Sequence, residues 1–363
     1  MSELLAVVGA RPNLVKMAPL LEAFEGAGTP SVRLLHTGQH YDRALSDGLI
    51  ERLGMRRPDA NLGVGSGTHA EQVAGVMIGV ERELQDGAFD GLIAAGDVNS
   101  TMAAALAAVK LQVPVVHVES GLRSRDWTMP EEVNRVVTDR VSDLLLCTSA
   151  DAAENLRAEG APAEAVKLVG NTMIDSLLRI LGGVDRDAVL AAQEVERREF
   201  VLITLHRPSL VDDPRRLAAV MEVLGELAER LPVVFPAHPR TTSRLRAAGL
   251  RRWPGLRVLE PMDYADFIAL EAETRLVITD SGGVQEETSV LGVPCLTYRD
   301  STERPVTIEL GTNTLVGADP EALRRACGEE LERPVSELAP EIPLWDGEAG
   351  PRAAAAVLEK FCS

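Results

Sequence analysis

No apolar run in these 363 residues approaches the ~20 needed to cross a bilayer, so a membrane-spanning chain is not expected. The opening Met1-Ser2-Glu3 lacks the basic segment of a secretory leader, and no cleaved signal peptide is predicted. Basic residues are in deficit, 37 against 55 acidic, for a net charge of −18. That balance argues against a nucleic-acid partner but leaves room for a local basic pocket for phosphate. Four cysteines, at 147, 295, 327 and 362, are scattered without a CxxC pair, and six histidines form no HExxH. Neither a disulfide framework nor a metal site follows, and reduced thiols suit a cytoplasmic chain. GxGxxG and GxxxxGK[ST] are both missing, which disfavours a bound dinucleotide or a P-loop; no cofactor is expected. There is no internal repeat of 20–50 residues.

What is present is a globular composition, 45% hydrophobic and 25% charged, on a chain long enough for two domains. Short β-rich runs, such as Leu4–Gly9, Val32–Thr37, Gly91–Gly96 and Pro114–Val118, alternate with helical stretches such as Met17–Phe24, Ala70–Leu84 and Thr101–Leu111. The alternation predicts parallel, doubly wound sheets covered on both faces. It pauses near Leu168-Val169-Gly170 and restarts at Phe200, which favours two similar α/β domains facing a central cleft over a TIM barrel.

In open parallel sheets, ligands bind beyond the carboxyl ends of strands. The unusual polar residues cluster there: Arg11 after the first run, Gln39 and His40 after the second, then Asp97 and Glu119. The second half repeats this with His206, His238 and Ser281. Polar helix caps are the plainer explanation for any one of them, less so for the set. Asp280-Ser281-Gly282-Gly283 then opens a helix that stops at Gly292. Its glycines and free N–H groups suit a phosphate or diphosphate, with Glu287 one turn in for a ribose and Arg304 nearby. An ordinary Ser-capped helix remains the alternative. Gly63-Val64-Gly65-Ser66-Gly67 follows no strong strand and reads as an active-site loop or a plain turn.

Asp97, Glu119, Glu131 and His206 are the candidate acid/base group. For Glu131 the competing reading is an exposed pair with Arg135 at i,i+4. Arg11 and Lys16 are either a phosphate-binding pair or solvated charge on the first helix.

Taken in order, Gly9–Lys16, His36–Asp42, Gly96–Thr101, His117–Arg123, Pro130–Arg135, Val169–Thr172, His206-Arg207, His238–Thr241, Asp280–Glu287 and Arg299–Pro305 resemble the non-hydrolysing UDP-N-acetylglucosamine 2-epimerase family. The blocks run in the right order from about residue 4 to 317. The resemblance implies a GT-B-like fold, with an N-terminal domain of residues 1–170 plus a returning helix 347–363, and a UDP-binding domain of residues 171–346. It implies interconversion of UDP-N-acetylglucosamine and UDP-N-acetylmannosamine through a 2-acetamidoglucal, without a redox cofactor, by a homodimer. Carried over by position, Asp97, Glu119, Glu131 and His206 become catalytic. Arg11, Lys16 and Arg135 contact diphosphate or sugar, and Ser281, Gly282, Gly283 and Arg304 hold diphosphate. Glu287 holds ribose, Phe267 lies against uracil, and His238 sits at the cleft wall.

The chain departs from that pattern in places. Arg207-Pro208-Ser209-Leu210 replaces the usual Arg-x-Glu-Asn, which removes a glutamate that would support His206, and the loop from Arg123 to Pro130 is short. Some members bind a second UDP-N-acetylglucosamine as activator; Asp42 and the Gly63–Gly67 loop stand where those contacts fall, so activation is expected to be weak or absent. Competing readings are a hydrolysing 2-epimerase, an epimerase of a modified UDP-sugar such as a 2,3-diacetamido uronic acid, a GT-B glycosyltransferase, and an inactive nucleotide-sugar-binding protein.

Overall fold

The computed structural model describes residues 3–28, 30–39, 43–248, 253–335 and 340–361; His40 and Asp42, singled out above, lie outside them. Two compact units emerge, Met1–Ile180 with Pro343–Ser363, and Leu181–Ile342.

Unit 1 runs β1 (Glu3–Val8), α1 (Arg11–Ala27), β2 (Ser31–His36), α2 (Arg43–Arg52), β3 (Ala60–Asn61), α3 (His69–Asp86), β4 (Gly91–Ala95), α4 (Asn99–Lys110), β5 (Val115–Ser120), α5 (Pro130–Val141), β6 (Leu144–Cys147), α6 (Ala150–Ala158), β7 (Val166–Leu168) and α7 (Thr172–Gly182). Its parallel sheet has the order β3-β2-β1-β4-β5-β6-β7. Strand β1 is buried along nearly its whole length, as a sheet covered on both faces requires. Leu5, Val7, Leu92 and Ala94 supply one face, against Val76 and Val80 of α3 and the alanines of α4.

Unit 2 runs α8 (Arg186–Ala192), β8 (Val201–Thr204), α9 (Pro208–Val211), α10 (Pro214–Leu227), β9 (Val233–Pro236), α11 (Pro239–Ala248), β10 (Leu256–Leu259), α12 (Tyr264–Glu273), β11 (Leu276–Thr279), α13 (Gly282–Leu291), β12 (Cys295–Thr297), α14 (Val306–Glu309), β13 (Asn313–Leu315) and α15 (Pro320–Glu332). Its sheet, also parallel, has the order β10-β9-β8-β11-β12-β13. The strand period of two is plain here: Val201 and Ile203 enter one core, Phe200 and Leu202 the other.

The last helix, α16 (Ala349–Phe361), returns to unit 1 and packs on α1, where a Cβ on Gly350 would lie 2.7 Å from Pro19. Residues 171–180 also pack into unit 1, beyond the expected boundary at 170. Ser176 Oγ donates to the Val15 carbonyl at 2.6 Å, and Asp175 accepts from Gly350 N at 2.6 Å. Trp345 Nε1 bonds the Thr148 carbonyl at 2.9 Å, so the chain rejoins unit 1 at Pro343 rather than 347. Helix α1 starts at Arg11, well before the expected Met17, because Asn13 Oδ1 accepts from Ala10 N at 3.0 Å and closes a first turn that carries no apolar signal. Among the described residues no helix is long and apolar enough to cross a membrane.

Candidate active site

Each sheet reverses its winding direction once, between β1 and β4 in unit 1 and between β8 and β11 in unit 2. The gap beyond strand ends at such a reversal is where side chains can surround a ligand without a crossing connection. In both units the polar residues gather there.

In unit 1 the centre is Gly96, just after β4, with φ +71°. A Cβ on it would lie 3.1 Å from Lys16 Nζ, 3.2 Å from Asn13 Nδ2 and 3.3 Å from Glu119 Oε2, so glycine lets these groups close in. Lys16 pairs with Glu119, both about 6% exposed; the alternative of a solvated Lys16 is not what the fold builds. Glu119 does not follow β5 as expected but lies within it, at φ +67°, where the β5–β6 register slips between Val118 and Ser120. The left-handed conformation costs a non-glycine residue about 1–2 kcal/mol, and the bulge aims the carboxylate at Lys16. Asp97 pairs with Arg135, whose other nitrogen is 2.9 Å from Glu132. Asn134 Nδ2 donates to the Asp97 carbonyl at 2.9 Å.

The short loop before α5 decides which glutamate turns inward. Glu132 accepts from Ser124 N and Oγ, both at 2.9 Å, and from Arg125 N at 2.8 Å, and is buried. Glu131 and Arg11 stand exposed at the starts of their helices. His117, given no role in the sequence, is fully buried between Asp139 Oδ1 at 2.6 Å and the Gly96 carbonyl at 2.8 Å. Burial would raise the Asp139 pKa, but His117 and Arg123 outweigh it and hold the carboxyl below its ordinary range. Gln39 Oε1 accepts from Ser100 N at 3.1 Å and from Ser100 Oγ at 2.6 Å, which ties β2 to the start of α4.

In unit 2, Asp280 ends β11 and organises the neighbouring strand end. Its carboxylate accepts from His206 N at 2.9 Å and Arg207 N at 2.8 Å, and lies 2.9 Å from His206 Nδ1. It thereby supports the half-exposed His206 where the expected glutamate is missing. Burial alone would lower the imidazole pKa; the hydrogen bond and charge of Asp280 win and raise it. With Nδ1 taken by Asp280, Nε2 is the nitrogen left to exchange a proton.

The start of α13 is open. Ser281 N donates to Thr279 Oγ1 at 2.9 Å, but the Ser281 side chain makes no cap bond, so the ordinary Ser-capped helix is not formed. A Cβ on Gly282 would fall 2.4 Å from Arg304 Nη1, and only glycine admits that guanidinium. Arg304 in turn pairs with Glu303 and lies 3.0 Å from Glu286 through Nε. Gln285 braces this turn, donating to the Ser281 carbonyl at 2.9 Å and accepting from Thr302 Oγ1 at 2.6 Å. Glu287 is buried and accepts from Tyr264 OH at 2.6 Å. Phe267 is partly buried against the core of unit 2, and His238 is exposed with its Nδ1 3.3 Å from Arg240 N.

The structure thus brings Lys16, Asp97, Glu119 and Arg135 together in unit 1. In unit 2 it joins Ser281, Gly282, Gly283 and Arg304, with Glu287 further along α13. Asp280, Glu132, Asn134, Gln285 and Tyr264 were passed over as site residues in the sequence. Their signal was only proximity to motif residues, since a hydrogen-bond partner leaves no periodic trace.

Two parallel sheets of this topology, with polar groups at each reversal, define a GT-B-like fold. The chain belongs to the UDP-N-acetylglucosamine 2-epimerase family, whose sequence profile matches residues 22–358. It is 39% identical over 329 residues to the UDP-N-acetylglucosamine 2-epimerase of Methanocaldococcus jannaschii, covering 88% of this chain and 90% of that one. It is 40% identical over 319 residues to the UDP-2,3-diacetamido-2,3-dideoxy-D-glucuronate 2-epimerase of Pseudomonas aeruginosa, covering 87% and 88%. The crystal structure of the M. jannaschii enzyme with UDP-GlcNAc and UDP superposes with a TM-score of 0.90 at 37% identity, over 98% of this chain and 99% of that chain.

Proposed function

We propose that this epimerase interconverts UDP-N-acetylglucosamine and UDP-N-acetylmannosamine by eliminating and re-adding UDP. C2 of the sugar is not adjacent to a carbonyl, so its proton is too weakly acidic for simple removal. Elimination avoids the problem. A base takes the C2 proton, the C2–H electrons form the C1=C2 bond, and the C1–O pair leaves with the diphosphate. Re-addition of the diphosphate oxygen at C1, with a proton delivered to the opposite face of C2, gives the epimer.

This sequence needs proton carriers and a site for a departing anion. Asp97, just past the end of β4, and Glu119, in the neighbouring β5, are each paired with a buried cation and carry the reading for the first. His206, set by Asp280, and Glu131 complete the acid/base set. Lys16 and Arg135, with Arg11, hold charge near the sugar and diphosphate. Ser281, Gly282, Gly283 and Arg304 receive the diphosphate at the start of α13, where the dipole and free N–H groups favour negative charge. Glu287 takes the ribose, Phe267 the uracil face, and His238 a more distant contact. The enzyme works in the cytoplasm as a homodimer, a reading supported by family membership and reduced-thiol composition.

The 40% identity to the P. aeruginosa enzyme favours a second reading in which the sugar is a 2,3-diacetamido uronic acid. Incubation with each UDP-sugar in D2O, followed by proton NMR, separates them. UDP-N-acetylmannosamine carrying deuterium at C2 is expected. Free N-acetylmannosamine with UDP would indicate hydrolysis, and turnover of the diacetamido sugar alone would shift the substrate.

A further inference from the structure

Inside unit 2, two carboxyl groups meet. Glu271 on α12 is fully buried and Glu287 on α13 is 4% exposed. Side by side in a low-dielectric interior, both cannot be ionised. Tyr264 OH holds Glu287 Oε1 at 2.6 Å. Neither Glu271 oxygen meets an N–H or hydroxyl donor among the described residues, and its carboxyl adjoins that of Glu287 where α12 packs on α13. A proton kept on Glu271 and donated to Glu287 gives both carboxyl groups a hydrogen bond. Burial first, then the charge of Glu287, pushes the Glu271 pKa well above the carboxylate range. Burial raises Glu287 as well, but Tyr264, Glu271 and Arg304 all favour its ionised form. The result is a carboxylate with two donors behind it, four residues after Gly283 and so on the same face of α13.

An aliphatic side chain at 271 would fill the space without a buried acid, so core packing does not explain the choice. Gripping a vicinal diol does. Two hydroxyls donate well to one carboxylate only if its plane is fixed, and a carboxylate so fixed is left unpaired when the hydroxyls are missing. We propose that Glu271 and Tyr264 are positioning residues that hold the Glu287 carboxylate for the ribose hydroxyls, which makes unit 2 selective for ribonucleotides over deoxy forms. The proposal rests on the assignment of Glu287 to the ribose.

The test is calorimetric binding of UDP and 2′,3′-dideoxy-UDP to the full chain, with thermal melts as a folding control. The unaltered chain should prefer UDP by about tenfold or more, and Glu287→Gln should lose most of that preference. Glu271→Leu should cut the preference several-fold while dideoxy-UDP binds as before. Glu271→Gln, whose amide still donates to Glu287, should retain it. Tyr264→Phe should give a smaller cut of the same kind, and it decides the matter if Glu271→Leu does not fold. Equal weakening toward both nucleotides, or no change toward either, in the Glu271→Leu or deciding Tyr264→Phe variant overturns the positioning role. A preference that survives Glu287→Gln overturns the ribose assignment, and the proposal falls with it.

Discussion

Units 1 and 2 share a sheet plan and both bury ion pairs, but they differ in how the carboxylates of the candidate site are partnered. Unit 1 meets each key carboxylate with a cation: Lys16 for Glu119, and Arg135 for Asp97 and Glu132. In unit 2 Arg304 pairs with Glu303 and Glu286, whereas Glu287 accepts from the Tyr264 hydroxyl and faces the buried carboxyl of Glu271. A carboxylate paired with a lysine or arginine at a strand end can serve proton transfer, whereas one that accepts from neutral donors is a fixed acceptor for hydroxyls. On the proposed function, the same fold supports acid/base work at one reversal point and recognition at the other.

The contrast breaks most visibly through Asp97→Asn. The amide keeps the shape but cannot take a proton, so kcat should fall by about three orders of magnitude while UDP affinity and melting temperature stay near normal. Near-normal turnover would remove Asp97 from the mechanism and dissolve the division of labour. Next comes Lys16→Met, which leaves Glu119 buried, strained and without its cation. Denaturant unfolding should show a loss of about 3 kcal/mol, with partial recovery in the Lys16→Met, Glu119→Gln double variant. Glu271→Leu should lose less, because one buried acid is removed along with its hydrogen bond to Glu287.

The smallest effect concerns His206. Its folded pKa lies above the ordinary value of about 6.5, so its contribution to stability is full below that pH and disappears as pH rises through the folded value. The matching contribution of Asp280, whose folded pKa is depressed, is present above the ordinary carboxylate pKa and lost as pH falls through the folded one. Asp280→Asn should therefore lower the His206 pKa, as followed by NMR titration of the imidazole. Because the ring is half-exposed, the associated stability change should stay below about 1 kcal/mol. An unmoved titration would show that Asp280 shapes only the backbone at His206 and Arg207.

Strands were legible because buried parallel strands are dense in Val, Leu and Ile; Leu276–Thr279 was read to the residue. The two-residue β3 and three-residue β13 were not, since such short edge strands carry no pattern of their own. Motif residues were legible at the strand ends. Their partners were not: Asp280 beneath His206 and Glu271 behind Glu287 follow from contacts between different elements, and Glu132 rather than Glu131 faces inward because of the loop geometry before α5.

By itself the sequence determined the doubly wound character of both units, the polar residues at their strand ends and the family. These depend on local periodicity and on glycines that a turn or close approach demands. Tertiary structure alone decided which charges pair and which carboxyl groups are brought together. Those outcomes depend on ångström-scale separations and on exclusion of water, which chain order does not encode.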